Sequence, residues 1–163
     1  MALFGTVTDA NTLLGIAEEF VANVVTQQIG YYKTILPATQ PNVYGEALVK
    51  SYIGPVLINC LIDRGNFDTK SDDFGPDTIR DVKFRFLRID LESANVVPEV
   101  GDVVMYNESY YLVDNTDQNQ YFVGKNPDYS YSQGLQNFGQ SWSIILSTHY
   151  TTPEALGITI QRL

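Results

Sequence analysis

Residues 98–116, PEVGDVVMYNESYYLVDNT, carry the clearest fold signal in the chain. Glycine and aspartate at 101–102 predict a turn, and the apolar run at 103–106 predicts a strand. A tight connection is predicted at 107–108, followed by a return strand at 110–114. Two strands joined by so short a connection run antiparallel, so this hairpin favours a fold built mainly from antiparallel strands.

Further strands are predicted on both sides of the hairpin, at 56–62 and 141–150, where apolar residues run between turn-forming ones. In RDVKFRFLRIDL (80–91), apolar and charged residues alternate, but the phase slips by one between Phe86 and Leu87. We predict a β-bulge or bend there, because a slip of one residue would otherwise turn half of the strand inside out. The predicted fold is mainly β, a small antiparallel β-barrel or sandwich with an N-terminal α-helix and long loops.

Residues 9–29 predict the N-terminal helix. Its apolar residues cover an arc of roughly 180°, wider than the ~100° stripe that one core contact requires. One interpretation is a helix well covered by its own domain. The other is a helix that packs on its own core with one edge and on a neighbouring subunit with the other, and Leu13, Phe20 and Val24 are the candidates for that subunit interface.

Three segments predict extended or irregular structure within a single domain of residues 1–163. Residues 31–55 combine prolines and glycines with four tyrosines, which favours an extended arm lying on a partner over a flexible linker. Tyr44 in this arm is a further candidate for the subunit interface. The remainder, 56–163, is assigned to the β-barrel, with long loops at 63–79 and 125–140.

The net charge of −9, from 19 acidic and 10 basic residues, argues against a nucleic-acid-binding protein. Residues 1–88 hold 10 acids and 8 bases (net −2), whereas residues 89–163 hold 9 acids and 2 bases (net −7). Affinity for DNA depends mainly on neutralisation of phosphates by lysine and arginine, so tight binding to DNA is not expected. No apolar run approaches the ~20 residues of a membrane span, and no membrane contact is expected.

Reaction chemistry finds little support in the sequence motifs. The lone Cys60 excludes an internal disulfide and a cysteine-based zinc site, and the lone His149 excludes a multi-histidine metal site. Ser147 shares a predicted strand face with His149, but no G-x-S-x-G motif and no third orienting group is evident. A carboxylate pair acting as acid and base stays open, since distance in space decides it. We predict no catalytic residue, no metal and no cofactor.

The run TKSDDFGPD (69–77) is the most concentrated acidic segment. Asp68, Asp72, Asp73 and Asp77 are spaced by four, one and four residues. A calcium loop of the EF-hand type places its acids at alternate positions and closes with a glutamate, which this run lacks. The spacing therefore favours a solvated loop between two strands over a cation site.

Two further groups of side chains are candidates for contacts with other molecules. Lys83, Arg85 and Arg88 form a basic stripe on the predicted outer face of strand 80–91. They either keep the strand from pairing with other chains or meet an acidic loop such as 68–77 on an adjacent subunit. Tyr129 and Tyr131, in the second long loop, could stack on sugars or bases, but tyrosines are equally common at subunit interfaces, which we favour.

Six blocks of sequence follow one another between about Tyr44 and Gly157: VYGEALVKSYIGPVLINCLIDR, DDFGPD, VKFRFLRIDL, VVPEVGDVVMYNESYYLVDN, GKNPDYSY and SIILSTHY. In this order they resemble the neck, or head-closure, proteins of tailed bacteriophages with contractile tails. The resemblance rests on several short blocks, not on one diagnostic motif. This chain is also shorter than the longest of those proteins, which leaves any additional tail-binding segment without a counterpart.

The resemblance implies a structural virion protein of the phage neck, made in the host cytoplasm, and not an enzyme. It implies a homo-oligomeric ring that closes the DNA-filled head and joins it to the tail. Its partners would be copies of itself, the portal or adaptor and the tail-terminator proteins, with passive contact to packaged DNA. The shared block DDFGPD makes Asp72, Asp73, Phe74 and Asp77, with the nearby Asp68, candidates for an interface or channel-facing loop. The alternative is a carbohydrate-binding or host-attachment β-domain.

Overall fold

The computed structural model describes residues 7–35, 40–41, 47–72, 75–121 and 141–158 of the chain. Within these residues the protein is mainly antiparallel β, which confirms the predicted fold class. The elements in chain order are α1 (Val7–Glu19), a π-helical segment (Phe20–Val25), β1 (Gln28–Thr34), β2 (Gln40–Pro41), β3 (Ala47–Val49), β4 (Tyr52–Asn59), β5 (Leu61–Asp72), β6 (Gly75–Leu87), α2 (Arg88–Ser93), β7 (Val103–Tyr106), β8 (Ser109–Tyr121), β9 (Ser141–Thr151) and α3 (Pro153–Leu156).

Seven of these strands form one sheet in the order β4-β1-β7-β8-β9-β6-β5, and β2 pairs with β3 separately. The edge strands β4 and β5 are consecutive in the chain and separated only by Cys60. The sheet therefore curls until its two edges approach each other at this corner. Among the described residues β4 and β5 do not pair with each other, so the sheet is not closed into a barrel by hydrogen bonds.

The predicted hairpin is present as β7 and β8. Asn107 and Glu108 connect the two strands with φ angles of 50° and 60°, the left-handed pair that a two-residue type I′ turn requires. The return strand is longer than predicted, because β8 continues to Tyr121 in pairing with β9. The predicted strand at 141–150 corresponds to β9.

Alternation of buried and exposed residues along β6 directs one face of this strand into the main hydrophobic cluster. Val82, Phe84 and Phe86 are buried whereas Lys83 is exposed, as the period of two predicts. Tyr31 and Tyr32 in β1 are both buried and belong to two different clusters, the first with Phe84 and the second with Tyr110 and Leu156. Adjacent strand residues point to opposite faces, so β1 is covered on both sides.

The predicted extended arm at 31–55 is wrong at both of its ends. Residue 31 lies within β1, an interior strand of the sheet, and residues 52–55 begin the neighbouring edge strand β4. Tyrosines in this segment therefore fill the core instead of lying on a partner, at least at Tyr31 and Tyr32. The prolines and glycines within residues 31–55 are typical of loops, which is why the sequence did not predict the strands at either end of this segment.

The predicted loop at 63–79 is also wrong, because β5 and β6 form a long hairpin over this segment. The predicted strand at 80–91 ends at Leu87 and is followed by α2. The phase slip marks this strand-to-helix junction and not a bulge, since helical rotation returns Leu91 to the core, where it is 2% exposed.

The N-terminal helix is shorter than the predicted 9–29. Helix α1 passes into the π-helical segment, which ends at Thr26 with a left-handed φ of 49°, and the Thr26 amide donates to the Val21 carbonyl. The chain then enters β1 at Gln28. The predicted loop at 125–140, with Tyr129 and Tyr131, lies outside the described residues, as do Tyr44, Asp73 and Phe74.

Candidate interaction surfaces

Asp102 is a fully buried carboxylate, which makes it the first group to test for chemistry. Its Oδ2 accepts hydrogen bonds from the Tyr31 hydroxyl at 2.5 Å, the Lys33 ammonium at 3.0 Å and the Glu99 amide at 2.9 Å. Its Oδ1 accepts from the Thr34 amide at 2.8 Å. With 0% exposure and donors on both oxygens, Asp102 ties β1 to the turn before β7 and has no face open to a substrate.

The groups around Asp102 respond to its charge. Burial first, and then the hydrogen bond to Asp102, raise the pKa of Tyr31, because ionised Tyr31 would lie beside a second anion. Burial by itself would lower the pKa of Lys33, but its hydrogen bonds to Glu99 and Asp102 outweigh that effect and the pKa is raised. Both raised pKa values favour the protonated forms, a neutral Tyr31 hydroxyl and a charged Lys33 ammonium, as expected beside a structural carboxylate.

An apolar stripe runs along the outside of the N-terminal helix. It consists of Leu13, Ile16, Phe20 and Val24, which are 45%, 58%, 50% and 68% exposed. Spacings of three and four residues put all four on one face. On the inner face Val21 is buried, and a cavity of about 260 Å³ separates the helix from Leu61 and Phe86 of the sheet. The sequence-predicted interface residues Leu13, Phe20 and Val24 therefore lie together on the surface of the single chain.

The acidic run lies on a β-ribbon formed by the distal halves of β5 and β6. These strands pair from Leu61↔Arg85 out to Asp72↔Gly75, whereas β9 covers β6 only from Asp81 to Leu87. The pairs beyond the sheet extend over residues 67–72 of β5, about 20 Å at the rise of a strand. Asp68, Asp72 and Asp77 occupy paired positions of this ribbon, so the described parts of the predicted acidic loop are strand.

The predicted basic stripe is divided between two elements. Lys83 and Arg85 share one face of β6, but Arg88 begins α2. Arg85 pairs with Asp63 of its own hairpin at 3.2 Å, and Arg88 donates to the Gln118 side chain at 3.2 Å. Two of the three basic residues that were expected to meet an adjacent subunit, Arg85 and Arg88, therefore have partners within the same chain.

His149 has a carboxylate partner that sequence reasoning missed. Its Nδ1 lies 2.7 Å from one Asp114 oxygen and 2.8 Å from the other, and both side chains are half-exposed. Ser147 makes no hydrogen bond to His149 among the described side chains, so the three groups are not a connected triad. Asp114 lies at a register shift of β8 against β9, and only that long-range pairing brings it to His149.

The described ranges contain neither a cluster of metal ligands nor a membrane-spanning helix. No cluster of three or more histidine, cysteine, aspartate or glutamate side chains there could hold a metal ion. None of the helices in these ranges is long and apolar enough to cross a bilayer. No protein-family model and no curated protein matches the sequence.

Proposed function

We propose that this chain is a structural subunit of a phage neck, where it forms a homo-oligomeric ring that closes the DNA-filled head and joins it to the tail. The six sequence blocks that resemble neck proteins support this proposal. The observation that carries it is the apolar stripe of Leu13, Ile16, Phe20 and Val24, because four neighbouring apolar side chains in water favour a protein partner.

The size of the stripe sets how strongly it could hold two subunits together. Each of its side chains is about half-exposed, so covering it contributes about 1 kcal/mol, and the four contribute about 4 kcal/mol. This corresponds to a Kd of about 1 mM before the entropy of association is subtracted. We therefore expect the purified chain to associate weakly and the ring to form when a partner such as the portal holds many copies side by side.

The acidic ribbon suits a position near DNA that must move. Residues 67–80 carry four aspartates against Lys70 and Arg80, a net charge of −2. Phosphates are repelled by such a surface, so DNA passing a ring lined with these ribbons would not be retained by contacts to lysine or arginine. The same charge also suits docking on a basic surface of a neighbouring neck protein.

The proposal is tested in the phage that carries this gene. A nonsense mutation should yield DNA-filled heads and separate tails by electron microscopy, and the wild-type gene supplied in trans should restore virions. Complete, tailed virions from the nonsense mutant would contradict a role in the neck.

Complementation with surface variants then tests the apolar stripe. Phe20→Asp and Val24→Asp should fail to restore virions although the purified proteins keep the circular dichroism spectrum of the wild type. Val97→Asp is the matched control, because Val97 is 71% exposed but follows α2 in the chain, outside the helix that carries the stripe, and this variant should restore virions. Full restoration by the stripe variants would show that this face is not an assembly surface.

A further inference from the structure

A small cavity of about 70 Å³ opens where the β5–β6 ribbon leaves the sheet. Arg64 and Arg80 line it from the two strands of the ribbon, and Tyr106 and Tyr111 line it from β7 and β8. These residues are far apart in the sequence and meet only through strand register. None of them has a role in the apolar stripe or in the Asp102 network.

A tyrosine contacts each arginine at this cavity. The Arg64 guanidinium lies 5.3 Å from the centroid of the Tyr106 ring and donates a hydrogen bond to the Tyr106 hydroxyl. Arg80 donates to the Tyr111 hydroxyl at 3.5 Å. Stacking and hydrogen bonding together reduce the freedom that a surface arginine normally has, so the guanidiniums are placed before any ligand arrives.

Phe84 supports both tyrosines from the core. Its ring meets the Tyr106 ring at a centroid distance of 6.2 Å and the Tyr111 ring at 5.7 Å, both in edge-to-face geometry. Phe84 is fully buried, and the ring of Tyr111 also packs on Tyr150. The wall of the cavity is therefore anchored in the main hydrophobic cluster, unlike a surface pocket formed by free side chains.

The charge of the cavity is opposite to that of the chain. Arg64 and Arg80 give +2 and Asp81 gives −1, so the lining carries +1 in a chain of net charge −9. Among the described side chains, Arg64 has hydrogen-bond and ring contacts to Tyr106 but no carboxylate partner. A guanidinium held against a neutral hydroxyl keeps donors for an anion, and charge-assisted bonds to an oxyanion are about twice as strong as neutral ones.

The backbones of β5 and β6 approach each other closely at the cavity. The β5–β6 register shifts between Arg64 and Phe67, and a Cβ at Gly65 would lie 2.9 Å from the Asp81 carbonyl oxygen. Glycine therefore allows β5 to approach β6 closely at the bulge.

We propose that this cavity binds one small oxyanion, either a carboxylate or a phosphate group, between Arg64 and Arg80. The volume is well below the ~300 Å³ at which pockets for whole small molecules begin, so the ligand is a single charged group. Both oxyanions match the planar fork of a guanidinium. The proposal does not depend on the neck function and would hold for a protein of any other role.

Thermal unfolding of the purified full chain in sodium phosphate and in sodium acetate tests this site, with sodium chloride at equal ionic strength as reference. A ligand that binds the native state raises Tm in a saturable way, by about 4 °C at tenfold excess over Kd for a protein of this size. The salt that saturates at the lower concentration identifies the ligand as a phosphate or a carboxylate. Arg64→Gln and Arg80→Gln should each abolish the saturable rise.

Lys83→Gln is the matched control, because it removes the same charge from β6 at a position that does not line the cavity, and its Tm rise should equal that of the wild type. An unsaturated rise of equal size in all four proteins would be a general salt effect and would overturn the proposal. Nuclear magnetic resonance of the wild type gives an independent measurement. The side-chain Nε–Hε signals of Arg64 and Arg80 should shift on titration while that of Arg85 does not, and equal shifts of all three would also overturn the proposal.

Discussion

The buried Asp102 offers the sharpest test of how this fold is held together. Asp102→Asn keeps the size of the side chain but replaces one acceptor oxygen with an NH₂ donor. In the less costly orientation the NH₂ group faces the Thr34 amide, which then loses its acceptor, at about 1–3 kcal/mol. The donors from Tyr31, Lys33 and Glu99 keep an oxygen but lose its charge, at about 1 kcal/mol each.

The expected loss in the free energy of unfolding for Asp102→Asn is therefore about 4–6 kcal/mol, a large part of the ~5–15 kcal/mol that a domain has. Tyr31→Phe removes one donor and leaves the carboxylate with three, so its expected loss is about 2 kcal/mol. Asp114→Asn is the control, because this carboxylate is half-exposed and its pair with His149 is expected to contribute at most about 1 kcal/mol.

Urea unfolding followed by far-ultraviolet circular dichroism measures these differences. With an m-value of about 2 kcal/mol/M, Asp102→Asn should lower the midpoint by about 2–3 M and Asp114→Asn by less than about 0.5 M. The double variant Tyr31→Phe/Asp102→Asn should lose less than the sum of the single losses, since Tyr31→Phe removes a hydrogen bond that Asp102→Asn has already weakened. A midpoint for Asp102→Asn within about 0.5 M of the wild type, at unchanged m-value, would refute the reasoning.

Three further predictions concern Cys60, the ionisation of Tyr31, and two glycines. Burial raises the pKa of the Cys60 thiol to about 12, so Ellman's reagent should label native protein far more slowly than protein in urea, and equal rates would contradict this. Because the pKa of Tyr31 is raised in the folded state, its protonated form stabilises the fold fully below about pH 10, its unfolded pKa, and this contribution is lost as pH rises towards the folded value. Tyr31→Phe should therefore flatten the alkaline decline in the free energy of unfolding by up to ~1.4 kcal/mol per pH unit. Unchanged slopes in pH-dependent urea titrations would exclude this contribution of Tyr31. Gly65→Ala should lower the free energy of unfolding by about 1–3 kcal/mol, because the added Cβ would contact the Asp81 carbonyl. Gly15→Ala should raise the free energy of unfolding by up to about 1 kcal/mol, because the added Cβ in α1 meets open space. Equal effects of the two substitutions in thermal melts would count against this account.

Local patterns predicted the elements whose signal lies within a few residues. The hairpin of β7 and β8 follows from the turn at Asn107 and Glu108 with apolar residues on either side. The buried face of β6 follows from the alternation of Val82, Phe84 and Phe86. Both rest on short-range geometry, the turn conformation and the period of two, which the sequence expresses directly.

Elements without such a local signal were misassigned. The distal part of the β5–β6 hairpin projects beyond β9 and covers no core, so its sequence need not alternate apolar and polar residues as a core strand does. Its aspartates are instead typical of a loop sequence. The slip at Phe86 and Leu87 was consistent with a bulge or with a helix, because either restores the apolar phase. Packing of Leu91 on the core decided for the helix.

The candidate sites likewise divide into one that has a local sequence signal and two that have none. Leu13, Phe20 and Val24 could be proposed from the sequence because helical spacing places them on one face, and their exposure in the single chain was decided by where the helix lies on the sheet. The Arg64–Arg80 cavity and the His149–Asp114 pair had no local signal, since each joins residues from strands that are distant in the chain.

By itself, the sequence determined a mainly β chain with a leading amphipathic helix, a net charge of −9 and one tight hairpin, because composition and short-range periodicity are properties of neighbouring residues. Only the tertiary structure decided that Asp102 is buried among four donors, that the acidic run is a projecting ribbon and that two arginines share one cavity. These features depend on strand order and register, which arise from the packing of the whole sheet and are not encoded in any single segment.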